Sequence, residues 1–293
     1  MTRTRTRRHI ALSARDVELF QLLTRYRYLR STYLHAFVGG ASATRFKERL
    51  GDLFHEGYLD RPPQQWAFAD ARYRPVVHEI GKGGSDALRA IGAAGDGGWQ
   101  LAATASKQFL HALMTCEALA SIELAARANE RPRFIGWPEI LARAPEATRT
   151  SNAPLRLPAP LGGFLAPDAM FGLEYRADGA KTYRFFALEA DRGTMPIERS
   201  KPGQTSYLGK LTAYRETIER QVHKTHWGIP NLLVLTLTTS AARASEIVAK
   251  LGNCPAFLFK AADEGALLKP LPALLLEPWQ RAGHPPLGIA ESS

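Results

Sequence analysis

Two apolar runs joined by a short polar turn limit most strongly how this chain can fold. The runs cover residues 163–173 and 183–190, and the turn between them contains glycine and aspartate. This pattern predicts a β-hairpin. Side chains alternate between the two faces of a strand, so Glu189 and Asp191 share one face at the end of the second strand. With Asp168 on the first strand, three carboxylates are expected to converge at one end of a small sheet.

The charge of the chain points to an anionic partner. The formal net charge is +10, and it is unevenly distributed. Residues 1–93 carry 16 Lys and Arg against 9 Asp and Glu, which leaves a net +7 in the first third of the chain. An excess of this kind is typical of proteins that bind nucleic acid.

Cysteine usage and the absence of a long apolar run favour a soluble, cytoplasmic protein. The two cysteines, Cys116 and Cys254, lie in apolar surroundings and are expected to be buried thiols. No apolar run approaches the roughly 20 residues of a membrane span. Residues 1–12 are predicted to form a basic arm, which either contacts phosphates or only adds solubility.

Residues 13–93 are predicted to form a winged helix-turn-helix. Ser13 and Ser42 are in position to cap helices, a further helix is expected over 31–38, and Gly57 is expected to end the third helix. Two short strands then form the wing, and residues 84–92 add a closing helix. In this fold the third helix enters the major groove and the wing follows the backbone. The alternative is a charged surface on a winged helix that binds protein.

Six side chains of this region are candidates for DNA contact. Three lie early in the third helix, where Thr44 or Arg45 is expected to contact base edges, and three decorate the wing, where arginines are expected to contact phosphates. They are Thr44, Arg45, Arg49, Arg61, Arg72 and Arg74.

The rest of the chain is predicted to be an α/β domain. Residues 94–103 are small and glycine-rich and are expected to be a linker. Residues 104–284 alternate helical patterns, notably 104–129 and 205–224, with strand patterns such as 231–238. The tail, 285–293, is expected to be disordered.

Two carboxylates of the hairpin have the character of metal ligands. Asp168 and Glu189 would suit Mg²⁺ or Mn²⁺, which would activate water for attack on a phosphodiester. This arrangement resembles that of divalent-metal nucleases of the PD-(D/E)xK type, and the resemblance implies a charge-stabilising lysine where this chain has Asp191. Lys210 could reach in from the following helix, with Tyr214 one turn further. Glu117 could also approach from the long helix.

The alternative for these residues is structural. In that interpretation the domain keeps a nuclease-like fold as a scaffold, and Asp191 pairs with Arg192. The candidate catalytic set is Asp168, Glu189, Asp191 and Lys210.

Several strings of the sequence resemble the replication-relaxation family. The most specific is Glu189-Ala-Asp191-Arg192-Gly193-Thr194 with the upstream Pro167-Asp168, and Lys210-Leu-Thr-Ala-Tyr214 follows it. In the first third the corresponding strings are Leu23-Thr-Arg-Tyr26-Arg-Tyr28 and Gly57-Tyr-Leu-Asp-Arg61-Pro. The resemblance covers most of the chain. It implies DNA binding in mobile-element biology and a second domain that resembles PD-(D/E)xK nucleases.

The sequence therefore predicts a DNA-binding protein of plasmid or mobile-element replication or relaxation that docks on duplex DNA through its winged helix. A Mg²⁺-dependent endonuclease and a transcription regulator are the alternatives. A relaxase or replication initiator is the expected protein partner, and a homodimer is expected because one small winged helix rarely supplies enough specificity.

Overall fold

The protein was analysed as a computed structural model, which describes residues 3, 10–40, 42–67, 69–93, 106–129, 132–159, 163–177, 179–198 and 206–291. The chain divides into two compact units. The first unit comprises Met1–Leu124 and Leu267–Pro270, and the second comprises Ala125–Ala266 and Leu271–Ser293. The predicted linker, 94–103, lies outside the described residues, and the division between the units falls inside a long helix.

The first unit combines helices with a small antiparallel sheet. Its elements are α1 Ala14–Tyr26, β1 Leu29–Arg30, α2 Ser31–Val38, α3 Ala43–His55, β2 Leu59–Asp60, a 3₁₀ turn at Pro63–Ala67, β3 Val77–Ile80, α4 Lys82–Ala90 and the first part of α5 Ser106–Ala128. The sheet order is β1-β3-β2, with both pairings antiparallel. The predicted helices and the returning strand are thus present.

Local sequence explains where these helices begin and end. Ser13 and Asp16 form a reciprocal capping box at the start of α1, and the Ser42 side chain caps α3. After α2 and α3 the chain turns at Gly39 and Gly57, whose φ angles of 68° and 86° favour glycine.

Helix α5 joins the first unit through buried polar contacts. Glu123 accepts a hydrogen bond from the Tyr26 hydroxyl and pairs with Arg25 at 2.8 Å. Glu117 pairs with Arg30 at 2.7 Å, and both side chains are less than a tenth exposed. The expectation that Glu117 approaches the hairpin carboxylates is wrong, because this ion pair holds it in the first unit.

Length and composition alone would allow Gln108–Ala128 to cross a membrane, contrary to the expectation from the sequence. However, 83% of the apolar window is buried within the structure, and the core helix of a soluble protein passes the same test.

The second unit is built on a mixed sheet with helices, which confirms the predicted α/β class. Its strands are β4 Arg133–Gly136, β5 Leu157–Pro158, β6 Phe164–Leu165, β7 Ala169–Ala177, β8 Ala180–Asp191, β9 Leu233–Thr238, β10 Cys254–Ala261, β11 Trp279–Ala282 and β12 His284–Leu287. Its helices, besides the end of α5, are α6 Trp137–Arg143, α7 Glu146–Arg149, α8 Tyr207–Glu219, α9 Val222–Trp227, α10 Ala241–Leu251 and α11 Ala273–Leu276. The large sheet has the order β12-β11-β10-β9-β8-β7-β4.

The predicted hairpin lies between β9 and the edge strand β4 of this sheet. Strands β7 and β8 pair antiparallel from Ala169 opposite Leu188 to Ala177 opposite Ala180. Strand β9 then runs parallel to β8, after the crossover through α8 and α9. The single helix predicted over 205–224 is divided in two, because Gln221 adopts a left-handed conformation with φ of 56°.

The predicted disordered tail is wrong for its described part. Strand β12 pairs antiparallel with β11 at the edge of the large sheet. Ile289 is fully buried, and its carbonyl accepts a hydrogen bond of 2.7 Å from the Tyr175 hydroxyl. A low local content of apolar residues concealed these tertiary contacts in the sequence.

We predict that Glu117→Ala destabilises the protein by about 3 kcal/mol, because removing one partner of a buried ion pair leaves an uncompensated charge. Urea denaturation followed by circular dichroism would measure the change. The double variant Glu117→Ala/Arg30→Met should recover most of the loss, and Asp86→Ala, which breaks exposed pairs on α4, should leave the curve unchanged. Equal stability of Glu117→Ala and the wild type would contradict this account.

Candidate functional site

The hairpin register brings Asp168 and Glu189 together at one end of the large sheet. Asp168 directly precedes Ala169, which pairs with Leu188, so it faces the end of β8. Its Oδ2 accepts a hydrogen bond of 2.9 Å from the backbone N–H of Ala190. Strand pairing therefore places the two carboxylates on neighbouring strands, as the sequence predicted.

Lys210 reaches both carboxylates from α8. Its Nζ donates a hydrogen bond to Glu189 and lies 3.8 Å from Oδ1 of Asp168. Tyr214, one turn further along α8, donates its hydroxyl to the other oxygen of Glu189. Ser206 caps the start of this helix. A residue 21 positions after Glu189 thus supplies the cation that the sequence lacks at position 191.

The protonation of this cluster follows from burial and charge balance. Burial raises the pKa of Glu189 to about 8, and the negative charge of Asp168 adds to that effect, while Lys210 and Tyr214 oppose it. Burial would lower the pKa of Lys210, but the carboxylates of Asp168 and Glu189 hold it above its ordinary value. Burial, aided by the second carboxylate, therefore favours the protonated form of Glu189 at neutral pH.

Asp191 is not part of this cluster of contacts. Arg243, near the start of α10, donates to both of its carboxylate oxygens and also to the carbonyl of Met195. The backbone N–H of Gly193 donates to Asp191 at 3.0 Å. The predicted catalytic placement of Asp191 is corrected accordingly, because its charge is balanced by a cation that holds the following turn.

The alternative pairing of Asp191 with Arg192 is also wrong. Arg192 pairs with Glu264 at 2.9 Å. Analysis of the sequence missed Arg243, which is 52 positions from Asp191. No local pattern reveals this contact, because it depends on α10 packing beside the end of β8.

The carboxylate pair fits a divalent cation of the Mg²⁺ type. Among the described residues, no group of three or more His, Cys, Asp or Glu is placed to hold a metal ion. Mg²⁺ commonly binds through only one or two carboxylates, with water and phosphate completing its shell. Asp168 and Glu189 provide that number, and the ammonium of Lys210 lies within ion-pair distance of both.

Three of the six predicted DNA contacts are exposed on the first unit. Thr44 and Arg45 lie in the first turn of α3, and Arg72 lies in the turn before β3. All three have solvent-exposed side chains in positions that a partner can reach.

The other three side chains have partners within the fold. Arg49 bonds both carboxylate oxygens of the buried Asp16 and ties α3 to the start of α1. Arg61 lies half-buried with its guanidinium 4.2 Å from the centre of the Phe54 ring. Arg74 pairs with Asp70 at 2.8 Å. Their charge serves packing and turn formation.

Comparison with known protein families matches a family described as Replication-relaxation over residues 20–233. The match covers more than half of the chain and extends through both units, and the chain belongs to this family. No curated protein matches it. No solved structure matches it either.

We predict that Glu189→Gln flattens the pH dependence of stability. The pKa of Glu189 is raised from 4.5 in a free side chain to about 8 in the folded protein. Protonated Glu189 therefore contributes fully to the free energy of unfolding below about pH 4.5, and this contribution is lost as the pH rises through 8. Thermal unfolding between pH 5 and 9 would measure this loss.

Because its amide is neutral at every pH, the Glu189→Gln variant should lose less stability than the wild type as the pH rises. The control, Glu198→Gln, changes an exposed carboxylate paired with Lys250 and should follow the wild type. An unchanged slope in Glu189→Gln would contradict the assignment.

Proposed function

As the chain belongs to the replication-relaxation family, we propose that it binds duplex DNA during plasmid or mobile-element replication or relaxation. The observation that carries this proposal is the surface of α3. Its apolar side, formed by Leu50, Leu53 and Phe54, is buried, while Thr44 and Arg45 are exposed.

The arrangement of the first unit supports a winged helix-turn-helix interpretation. Three helices, a short strand between the first two, and a pair of strands after the third follow one another in the order typical of that fold. In this interpretation α3 enters the major groove, and the segment between β2 and β3 follows the phosphate backbone as a wing. Thr44 then contacts a base edge and Arg72 contacts phosphate.

A homodimer on paired half-sites would supply the specificity that one small module lacks. A relaxase or replication initiator would be the protein partner at such a site. These assemblies follow from the proposed binding to DNA, and neither is needed for α3 to contact a single site.

A second candidate function is cleavage of a phosphodiester in the second unit. The specific observation that favours it is the contact of Lys210 with Asp168 and Glu189. The order α5-β4-β7-β8-α8-β9, with an antiparallel hairpin followed by a parallel strand, agrees with the PD-(D/E)xK-like interpretation.

The residues of this site have separate roles in the proposed chemistry. Asp168 and Glu189 would hold Mg²⁺ or Mn²⁺, which supplies an activated water and stabilises charge on phosphate. Lys210 would stabilise negative charge at the same position from α8. Tyr214 orients Glu189 through its hydrogen bond and is fully buried, so its own hydroxyl is not available to substrate.

We predict that Thr44→Ala and Arg72→Ala affect DNA binding differently. Thr44→Ala should reduce the preference between related duplexes by about 1 kcal/mol, because a base contact carries sequence information. Arg72→Ala should weaken all duplexes alike, because phosphate is common to every sequence. Fluorescence anisotropy with a selected duplex and its scrambled counterpart would measure both effects.

The proposed mode of docking would be contradicted by an equal loss on both duplexes for the two variants. Absence of binding to any selected duplex by the wild-type protein would contradict the function itself.

Cleavage is tested with supercoiled plasmid and Mn²⁺. We expect nicking by the wild-type protein to fall at least ~100-fold in Asp168→Asn and in Lys210→Met, because each variant removes a charge from the reacting position. The control is Lys250→Met, which removes an exposed lysine paired with Glu198 on the same unit. An intact plasmid with the wild-type protein, together with a mobility shift, would reject cleavage and leave the proposed binding to DNA in place.

A further inference from the structure

A cleft in the first unit lies between the start of α1 and the turn that leads into α3. Its volume is about 510 Å³, and Ser13, Arg15, Gly40, Ser42 and Arg45 are among its lining residues. This volume is within the range of about 300–1,000 Å³ typical of ligand-binding clefts. Neither Arg15 nor the cleft was singled out by the sequence.

Two of the three arginines that line this cleft differ from most cations of the first unit, because no carboxylate pairs with them among the described residues. Arg15 and Arg45 are exposed, and neither side chain has an ion pair or hydrogen bond within the described part of the chain. Elsewhere in the same unit, carboxylates neutralise many cations, namely Arg3, Arg25, Arg30, Arg49, Arg74, Lys82 and Arg89.

The one carboxylate that lines the cleft within the described residues does not cancel this charge. Asp16 is buried and pairs with Arg49 at 2.6 Å. Burial would raise the pKa of Asp16, but hydrogen bonds from Arg49 and Ser13 hold it below its ordinary value, so it remains ionised within that pair. The Arg49 and Asp16 charges therefore balance, and the guanidinium groups of Arg15 and Arg45 leave the cleft positive.

The backbone at Gly40 leaves room for the guanidinium of Arg15. Gly40 has a φ of 124°, and a Cβ built on it would lie 3.3 Å from Nη1 of Arg15. A glycine at this turn thus lets the guanidinium lie against the segment before α3. The backbone N–H of Arg45 at the start of α3 donates to the Ser42 hydroxyl, whereas the guanidinium groups of Arg15 and Arg45 have no such partner among the described residues.

We propose that this cleft binds a phosphate of the DNA backbone between Arg15 and Arg45. The proposal rests on the proposed function, duplex binding, and it assigns a separate role to Arg45. On the exposed side of α3, Arg45 lines the cleft, whereas Thr44, Lys47 and Glu48 are not among its lining residues. Arg45 therefore positions the protein on the duplex, and the other three side chains are left for base edges.

The test is the salt dependence of duplex binding by the full-length protein. A fluorescein-labelled duplex of about 30 bp is titrated at about 50–300 mM NaCl, a range in which each phosphate contact contributes a slope of about 0.9. We expect Arg15→Ala and Arg45→Ala each to lower the slope of log K against log [NaCl] by about 1. Each should weaken binding about eight-fold at about 100 mM salt, equally for two unrelated sequences. Arg15→Lys should restore most of the slope.

The matched control is Arg89→Ala, which removes one exposed positive charge from the same unit at a position that does not line the cleft and that pairs with Asp86. It should retain the wild-type slope. If the wild type binds and Arg15→Ala has the same salt slope as Arg89→Ala, the phosphate site in the cleft is overturned while the proposed function stands. If Arg45→Ala changes sequence preference without changing the slope, its phosphate role is overturned. If the wild type binds no duplex, both proposals fail.

Discussion

The buried carboxylates of both units depend on cations or hydrogen-bond donors supplied by other elements of the fold. An ionised carboxylate that is removed from water is costly unless it is paired and hydrogen-bonded. Asp16, Glu117 and Glu123 meet this requirement in the first unit, through Arg49, Arg30, and Arg25 with Tyr26. In the second unit, Arg243 pairs with the buried Asp191, and Lys210 and Tyr214 donate to Glu189, whose raised pKa favours its protonated form.

Because of this constraint, the two carboxylates of the Glu189–Thr194 string have different partners and different structural roles. Glu189 turns to α8, where Lys210 and Tyr214 hold it beside Asp168. Asp191 turns to α10, where Arg243 links it to the carbonyl of Met195. Glu189 thus belongs to a partly exposed cluster that contains the ammonium of Lys210. Asp191, through Arg243, stabilises the turn that follows β8. Only Glu189 contributes to the acidic pair that the proposed cleavage would use.

In the first unit the same constraint decides which charges remain for a partner. The net charge of +7 over residues 1–93 does not spread evenly over the surface, because internal ion pairs use several of its arginines. The exposed and unneutralised side chains include Arg15, Arg45 and Arg72. Binding of a polyanion is therefore expected to depend on a few positions, with a salt dependence that reports how many phosphates they contact.

The sequence by itself determined several elements and their order. Cap residues and glycines marked α1 and α3, and alternation and turn chemistry marked the β7–β8 hairpin with Asp168 and Glu189 at one end, since these signals are local. Tertiary structure decided the partners. Lys210 was within reach of prediction because it lies on the next helix, but Arg243, the pairing of Arg49 with Asp16, and the cleft at Arg15 depend on how distant elements pack. Strand β12 was missed for the same reason, since this segment becomes an edge strand only by pairing with β11.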